Sequence, residues 1–166
     1  TEIYTLSLHD ALPIYLPAQD YLLLLRFMDS QRFSWFFFNG KIKPTDKLFD
    51  YQFVHIFYIN DHINSEHFNI LKPLLDKLKP KSLIRIKANL NPISNELIKF
   101  DKHYDQDFKS KAAIYYLNNN NGYTMIGDNK IESVANRMVF FDSDEEHYGT
   151  NSTNCNNRML INFNYF

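Results

Sequence analysis

The pattern of apolar and polar positions changes character near residue 80. Before it, apolar residues come in blocks. Tyr21–Phe27 is a continuous run that suits either a helix or a buried strand. Trp35–Phe38 is a short aromatic run closed by the turn signal Asn39-Gly40. Tyr51–Ile59 mixes aromatic and β-branched residues and predicts a strand. Ser65–Leu78 predicts a helix, with Ser65 as its cap and Phe68, Leu71, Leu74, Leu75 and Leu78 on one stripe. Pro73 removes a helical hydrogen bond, so that segment can divide into two shorter pieces. From Leu83 onward the chain reads as short strands between turns. The predicted strands are Leu83–Leu90, Ile98–Asp105, Ala112–Asn118, Tyr123–Ile126, Ile131–Val134, Arg137–Phe141, Glu146–Gly149 and Arg158–Tyr165. Many short strands at close spacing predict a mainly β (α+β) chain built as a sandwich or barrel-like sheet pair.

Composition sharpens this picture in a few places. Aromatic residues make up 16% of the chain, with 15 Phe and 11 Tyr, a load that favours strands. A length of 166 residues suffices for one domain with a core, and no linker divides it. The net charge of −1 gives no indication of nucleic acid as a partner. The longest apolar runs are too short to span a bilayer, so no membrane partner is expected. Cys155 is the single cysteine, which rules out an internal disulfide and fits a reducing, cytoplasmic setting. Thr1–Ile14 resembles a translated sequencing adapter, which points to an environmental (metagenomic) assembly and to a native protein beginning near Tyr15. His9 and Asp10 then carry no function.

The candidate chemistry lies in the second half. His103 and Asp105 are two apart, so a regular strand would point both to one face. His147 arrives from a distant predicted strand, and Arg158 follows eleven residues later. Two imidazoles and one carboxylate suit a non-haem iron(II) centre with open positions. Each part has a plainer reading. An isolated His-x-Asp is often an exposed polar pair, and His147 follows an acidic stretch that reads as a solvated loop. Order and context favour the metal reading, because Arg158, Leu160, Asn162 and Asn164 share one face of the last predicted strand. If the three donors serve one ion, they must converge to within roughly 3–4 Å, since ligand bonds run near 2 Å.

From about Leu83 to Phe166 the chain resembles the 2-oxoglutarate and iron(II)-dependent oxygenases, within them the prolyl 4-hydroxylase-like branch. The residues that carry the resemblance are His103-Tyr104-Asp105, Ala113–Asn118, Gly122-Tyr123-Thr124, Asn136–Phe141, His147 and Arg158. The resemblance implies a double-stranded β-helix (a cupin-like jelly roll) over residues 81–166, supported by N-terminal helices from residues 15–80. It implies iron(II) held by His103, Asp105 and His147, with 2-oxoglutarate and O2 as co-substrates and ascorbate as an optional reductant. Arg158 would pair with the distal carboxylate of 2-oxoglutarate through two parallel hydrogen bonds. Tyr116 would contact the same carboxylate, Tyr115 would face the other way, and Asn162 would line the same pocket. The implied activity is hydroxylation of an unactivated C–H bond, on a prolyl or other side chain of a peptide or protein, with release of succinate and CO2. A small-molecule hydroxylase or desaturase of the same chemistry and a non-catalytic jelly-roll binding module are the alternatives.

Three further expectations concern neighbouring residues. Tyr104 is bulkier than expected between two ligands and should point away from the metal. Arg137 should be structural, at the turn into its strand. Arg85 and Lys87 share a strand face with Leu83; they read as a solvated edge, or else as a greeting for an anionic substrate.

Overall fold

The computed structural model describes residues 11–12, 14–45 and 50–166. The reading of Thr1–Ile14 as adapter falls almost wholly outside the described residues. The strands, in chain order, are β1 (Ala11–Leu12), β2 (Phe36–Phe38), β3 (Gln52–Ile59), β4 (His62–Ile63), β5 (Leu83–Pro92), β6 (Lys111–Tyr116), β7 (Tyr123–Ile126), β8 (Asn129–Glu132), β9 (Arg137–Asp142), β10 (His147–Gly149) and β11 (Asn157–Tyr165). Two helices precede β5: α1 (Ala18–Met28) and α2 (Lys72–Leu78).

The strands form two antiparallel sheets. The larger runs β1-β9-β6-β11-β5-β3-β2, with β4 attached to β3, and the smaller runs β10-β7-β8. The N-terminal region therefore supplies more than helices, because β3 pairs directly with β5 and extends the sheet. The chain is mostly β, a jelly-roll-like sandwich with helices on one side.

The ambiguous run Tyr21–Phe27 resolves as helix. Asp20 in its first turn and Arg26 in its last complement the helix dipole, and Leu24 and Met28 are buried. The segment after Ser65 splits as Pro73 allows. A 3-10 turn over Phe68–Leu71 passes into α2, where Pro73 falls in the first turn and its missing N–H costs nothing.

Strand alternation gives the large sheet two different faces. Phe57, Ile86, Ala88, Ala113, Tyr115, Met138, Met159, Ile161 and Phe163 pack against Leu24, Met28, Leu71 and Leu74 of the helical side. The other face buries Ala112, Ile114, Tyr116, Val139, Phe141 and Leu160 against Ile126 and Ile131 of the small sheet. Tyr115 faces the helical side as expected, and its hydroxyl donates to Asn136 Oδ1 at 2.7 Å. Arg137 is half-buried at the start of β9 and donates to the Glu132 carbonyl at 3.0 Å, in keeping with a structural role.

One predicted strand is absent. Ile98–Asp105 makes only two isolated bridges, Lys99 with Thr150 and His103 with His147. Asp105 N and Gln106 N both donate to the single carbonyl of Ser143, which breaks the strand ladder there.

His55 sits within the helical-side aromatic cluster, its Nδ1 2.7 Å from the Ser34 carbonyl and its Nε2 2.7 Å from Ser65 Oγ. Burial lowers its pKa, assisted by His67 and opposed by the Ser34 bond. A depressed histidine contributes stability above its unfolded value of 6.5, and that contribution is lost as pH falls through the folded value. Acid titration of unfolding free energy should therefore fall below pH 6.5, and His55→Gln should flatten that fall by up to ~1.4 kcal/mol per pH unit. An unchanged slope in chemical denaturation would show that His55 carries no such linkage.

Candidate metal centre

The donors His103, Asp105 and His147 meet at one end of a cavity between the two sheets. One ligand atom from each lies within 4.8 Å of the other two, and His147 Nε2 stands 3.9 Å from Asp105 Oδ2. The expected convergence is met by that pair, while the full set spreads somewhat wider. The local reason is a two-way backbone bond: His103 N donates to His147 O and His147 N to His103 O, each at 3.0 Å. The imidazole centroids are consequently 4.3 Å apart.

Hydrogen bonding sets the state of each donor. His103 Nδ1 faces the Asp101 carbonyl at 3.2 Å, and His147 Nδ1 faces the Glu145 carbonyl at 3.0 Å. A carbonyl only accepts, so each Nδ1 carries a proton and Nε2 is the atom each ring can offer to a metal. Burial, and then His147, push the His103 pKa down to about 4, which keeps that ring neutral at pH 7. Burial alone would raise the Asp105 pKa. His147, the Arg85 guanidinium and a hydrogen bond from Asn164 outweigh it and hold the carboxyl below its ordinary range. Arg85 Nη2 donates to Oδ1 at 3.2 Å and Asn164 Nδ2 to Oδ2 at 2.9 Å. Two imidazoles that present Nε2 and a carboxylate, each held by a further partner, fit a non-haem iron(II) ion.

Arg158 occupies another part of the same cavity, which encloses about 270 Å³. It is 1% exposed. Its Nε donates to Ser133 Oγ at 2.8 Å and its Nη2 to Thr124 Oγ1 at 3.0 Å. Among the described residues no carboxylate pairs with it. Burial lowers its pKa, but a guanidinium stays charged at neutral pH.

The remaining expectations fare differently. Asn162 is among the residues that line the cavity. Tyr116 does not line it; its hydroxyl donates to Thr124 Oγ1 at 2.8 Å, behind the guanidinium. Thr124 is thus the hydroxyl at the cavity wall, and with both lone pairs engaged its own proton is uncommitted. The sequence marks Thr124 only as the end of Gly122-Tyr123-Thr124. Tyr104 does not point away: it is 58% exposed and lines the cavity mouth, because the segment lacks strand alternation. The solvated-edge reading of Arg85 and Lys87 is also corrected. Both line the cavity, Arg85 bound to Asp105. Burial, then Arg85, lowers the Lys87 pKa to about 8. Asn89 and Asn91 join the lining with no prior signal beyond strand alternation, and Lys41, outside any strand, with none.

Solved structures share this arrangement of sheets. A prolyl hydroxylase from Trichoplax adhaerens, in complex with a hypoxia-inducible-factor peptide fragment, superposes with a TM-score of 0.65 at 15% identity, over 95% of this chain and 83% of that one. An oxidoreductase of the 2OG-Fe(II) oxygenase family from Burkholderia pseudomallei gives 0.66 at 11% identity, over 95% and 84%. The chain has the fold of the 2-oxoglutarate and iron(II)-dependent oxygenases. The prolyl-hydroxylase-like branch is represented again by a Pseudomonas putida prolyl-4-hydroxylase, at 0.57 and 13% identity, over 95% and 91%. No protein-family model and no curated sequence matches the chain.

In this oxygenase fold the guanidinium depends on a glycine. A Cβ at Gly122 would clash with the Asn151 carbonyl and stand 2.6 Å from Arg158 Cδ. A Cβ at Gly149 would meet Arg158 Nη1 at 3.5 Å, an ordinary contact. Gly122→Ala should cost about 1–3 kcal/mol in denaturant unfolding and Gly149→Ala less than about 1. Equal costs would show that Gly122 does not shape the Arg158 pocket.

Proposed function

We propose that this chain is an iron(II) and 2-oxoglutarate-dependent dioxygenase, its paired sheets forming a double-stranded β-helix core. The observation that carries the reading is one cavity holding the converged trio His103, Asp105 and His147 together with a buried guanidinium that has no carboxylate partner. Bound iron, with 2-oxoglutarate and O2 as co-substrates, would supply the oxidising chemistry, one oxygen atom going to succinate as CO2 leaves and the other hydroxylating an unactivated C–H bond.

The chain's own residues bind and orient. His103, Asp105 and His147 ligate iron through Nε2, a carboxylate oxygen and Nε2. Arg158 takes the distal carboxylate of 2-oxoglutarate, and the free proton of Thr124 adds a third donor. Tyr116 and Ser133 position Thr124 and Arg158. Asn162 lines the passage between. Arg85 and Asn164 hold the Asp105 carboxylate in place.

The substrate we favour is a peptide or protein side chain, a prolyl residue among the options. A groove of about 1020 Å³ adjoins the cavity and shares Lys41, Ile42, Phe100 and His103 with it, which suits an extended ligand. The Trichoplax neighbour carries a peptide.

The test is succinate formation from 2-oxoglutarate by iron(II)-reconstituted protein with ascorbate and no added substrate. The wild-type chain should form succinate, and a chelator should stop it. His103→Ala and Arg158→Ala should each lower the rate by on the order of 100-fold, at or beyond the upper end of what outer-shell partners contribute. Wild-type rates in both variants would refute the site assignment.

A further inference from the structure

The cavity holds more positive charge than the reading above uses. Lys41, Arg85, Lys87 and Arg158 line it, against Asp105 as the sole acidic lining residue among the described residues. Arg85 is paired with Asp105. Arg158 is assigned to the co-substrate. Lys41 Nζ donates to Asn91 Oδ1 at 2.9 Å and to the Tyr51 carbonyl, and it lies over the Phe100 ring. Lys87 alone of the four makes neither a hydrogen bond nor an ion pair with any described residue.

A second orphan stands beside it. Asn89 is 6% exposed, and its Oδ1 is buried without a hydrogen-bond partner. Lys87 and Asn89 are two apart on β5 and both line the cavity, so the wall offers a cation and an acceptor side by side. Leaving a buried acceptor and a half-buried cation without partners is costly, and such groups mark ligand sites.

We infer that Lys87, with Asn89 beside it, forms a subsite for an oxyanion carried by the substrate. This rests on the oxygenase reading, which commits Arg158 to 2-oxoglutarate. Register keeps the two cations apart. Arg158 pairs with Asn91, whereas Lys87 pairs with Asn162. An offset of four positions along the strand, about 13 Å of backbone, roots the two cations on separate stretches of the wall. The substrate reaches Lys87 past Lys41, Ile42, Phe100 and His103, the residues common to cavity and groove. Asn89 Oδ1 accepts a donor next to the oxyanion, an amide N–H or a hydroxyl.

The test uses Mn(II) in place of iron, so that 2-oxoglutarate binds without turnover. Inorganic phosphate and acetate are titrated in parallel into the Mn(II)–2-oxoglutarate protein, followed by paramagnetic broadening of the 31P and 13C signals. Saturable broadening by either anion is expected. Lys87→Met and Lys87→Gln should weaken it tenfold or more, Lys87→Arg should retain it in part, and the 2-oxoglutarate Kd should stay within twofold. Melting temperatures of the Met and Gln variants should equal or exceed wild type, since a half-buried cation without a hydrogen-bond or ion-pair partner is removed. Equal anion binding in wild type and variants, or a parallel loss of 2-oxoglutarate affinity, would overturn the inference alone. Failure of the wild-type chain to bind Mn(II) and 2-oxoglutarate would overturn the oxygenase reading and this inference with it.

Discussion

The reciprocal backbone bond between His103 and His147 is the constraint on which the site depends. The connection between β5 and β6 runs from Ile93 to Ser110 and contains no strand. Ordering such a segment costs roughly 1–2 kcal/mol per residue in backbone entropy. It is stitched along β10 and its flanks by main-chain bonds, Asn151 N to Ile98 O, Phe100 N to Gly149 O, the His103–His147 pair, and Asp105 N to Ser143 O. Each bond fixes the height of a residue above the sheet. Together they set His103 against His147 and aim Asp105 inward, where Arg85 and Asn164 receive it. An ion bound by the three donors would add its own free energy to this segment, because the unfolded chain offers no preformed site.

The two-faced sheet supplies the rest. On β5, Ile86 and Ala88 face the helices while Arg85, Lys87, Asn89 and Asn91 face the cavity. On β11, Met159, Ile161 and Phe163 face the helices while Arg158, Leu160 and Asn162 line the cavity. The two strands pair in register from Asn157–Pro92 to Asn164–Arg85, so the polar positions of both fall on one surface. A wall of this kind destabilises an empty protein, since buried polar atoms such as Asn89 Oδ1 and Asn164 Oδ1 go unmatched. The helical side offsets that cost with a largely apolar interface, with Phe57, Leu71, Leu74 and Ile86 completely buried. Stability and chemistry are thus divided between opposite faces of the same strands.

Much of this division was legible in the sequence, and the failures have physical causes. Period-two alternation located nearly every strand from Leu83 onward, and the β7 bounds agree in full. It failed for Ile98–Asp105, where isolated bridges replace a ladder. Loss of alternation there also explains why Tyr104 lines the cavity mouth. The convergence of His103, Asp105 and His147 was readable because residue type limits the chemistry. The parts played by Thr124, Lys87 and Asn89 were not, because a cavity wall is defined by which strand lies opposite. Paired basic residues on a strand look the same whether the facing sheet is present or solvent is. Only the placement of the small sheet across β5 and β11 turns Lys87 from surface charge into cavity charge.

The Arg158 pocket shows why second partners matter as much as the charge itself. A guanidinium has five donors in a fixed plane, and a carboxylate uses two of them. Ser133 engages Nε and Thr124 engages Nη2, which removes rotation about the terminal bonds and fixes the plane. The Tyr116 ring lies 5.6 Å from the guanidinium carbon, and its hydroxyl orients Thr124 from behind. Gly122 leaves the space through which the side chain passes. A lysine at this position would deliver the charge without the plane, and an alanine at 122 would deliver the plane in the wrong place. The direction in which the fork faces is therefore set jointly by β7, β11 and the turn before β7, so the sheets must pair correctly before the guanidinium takes up its orientation.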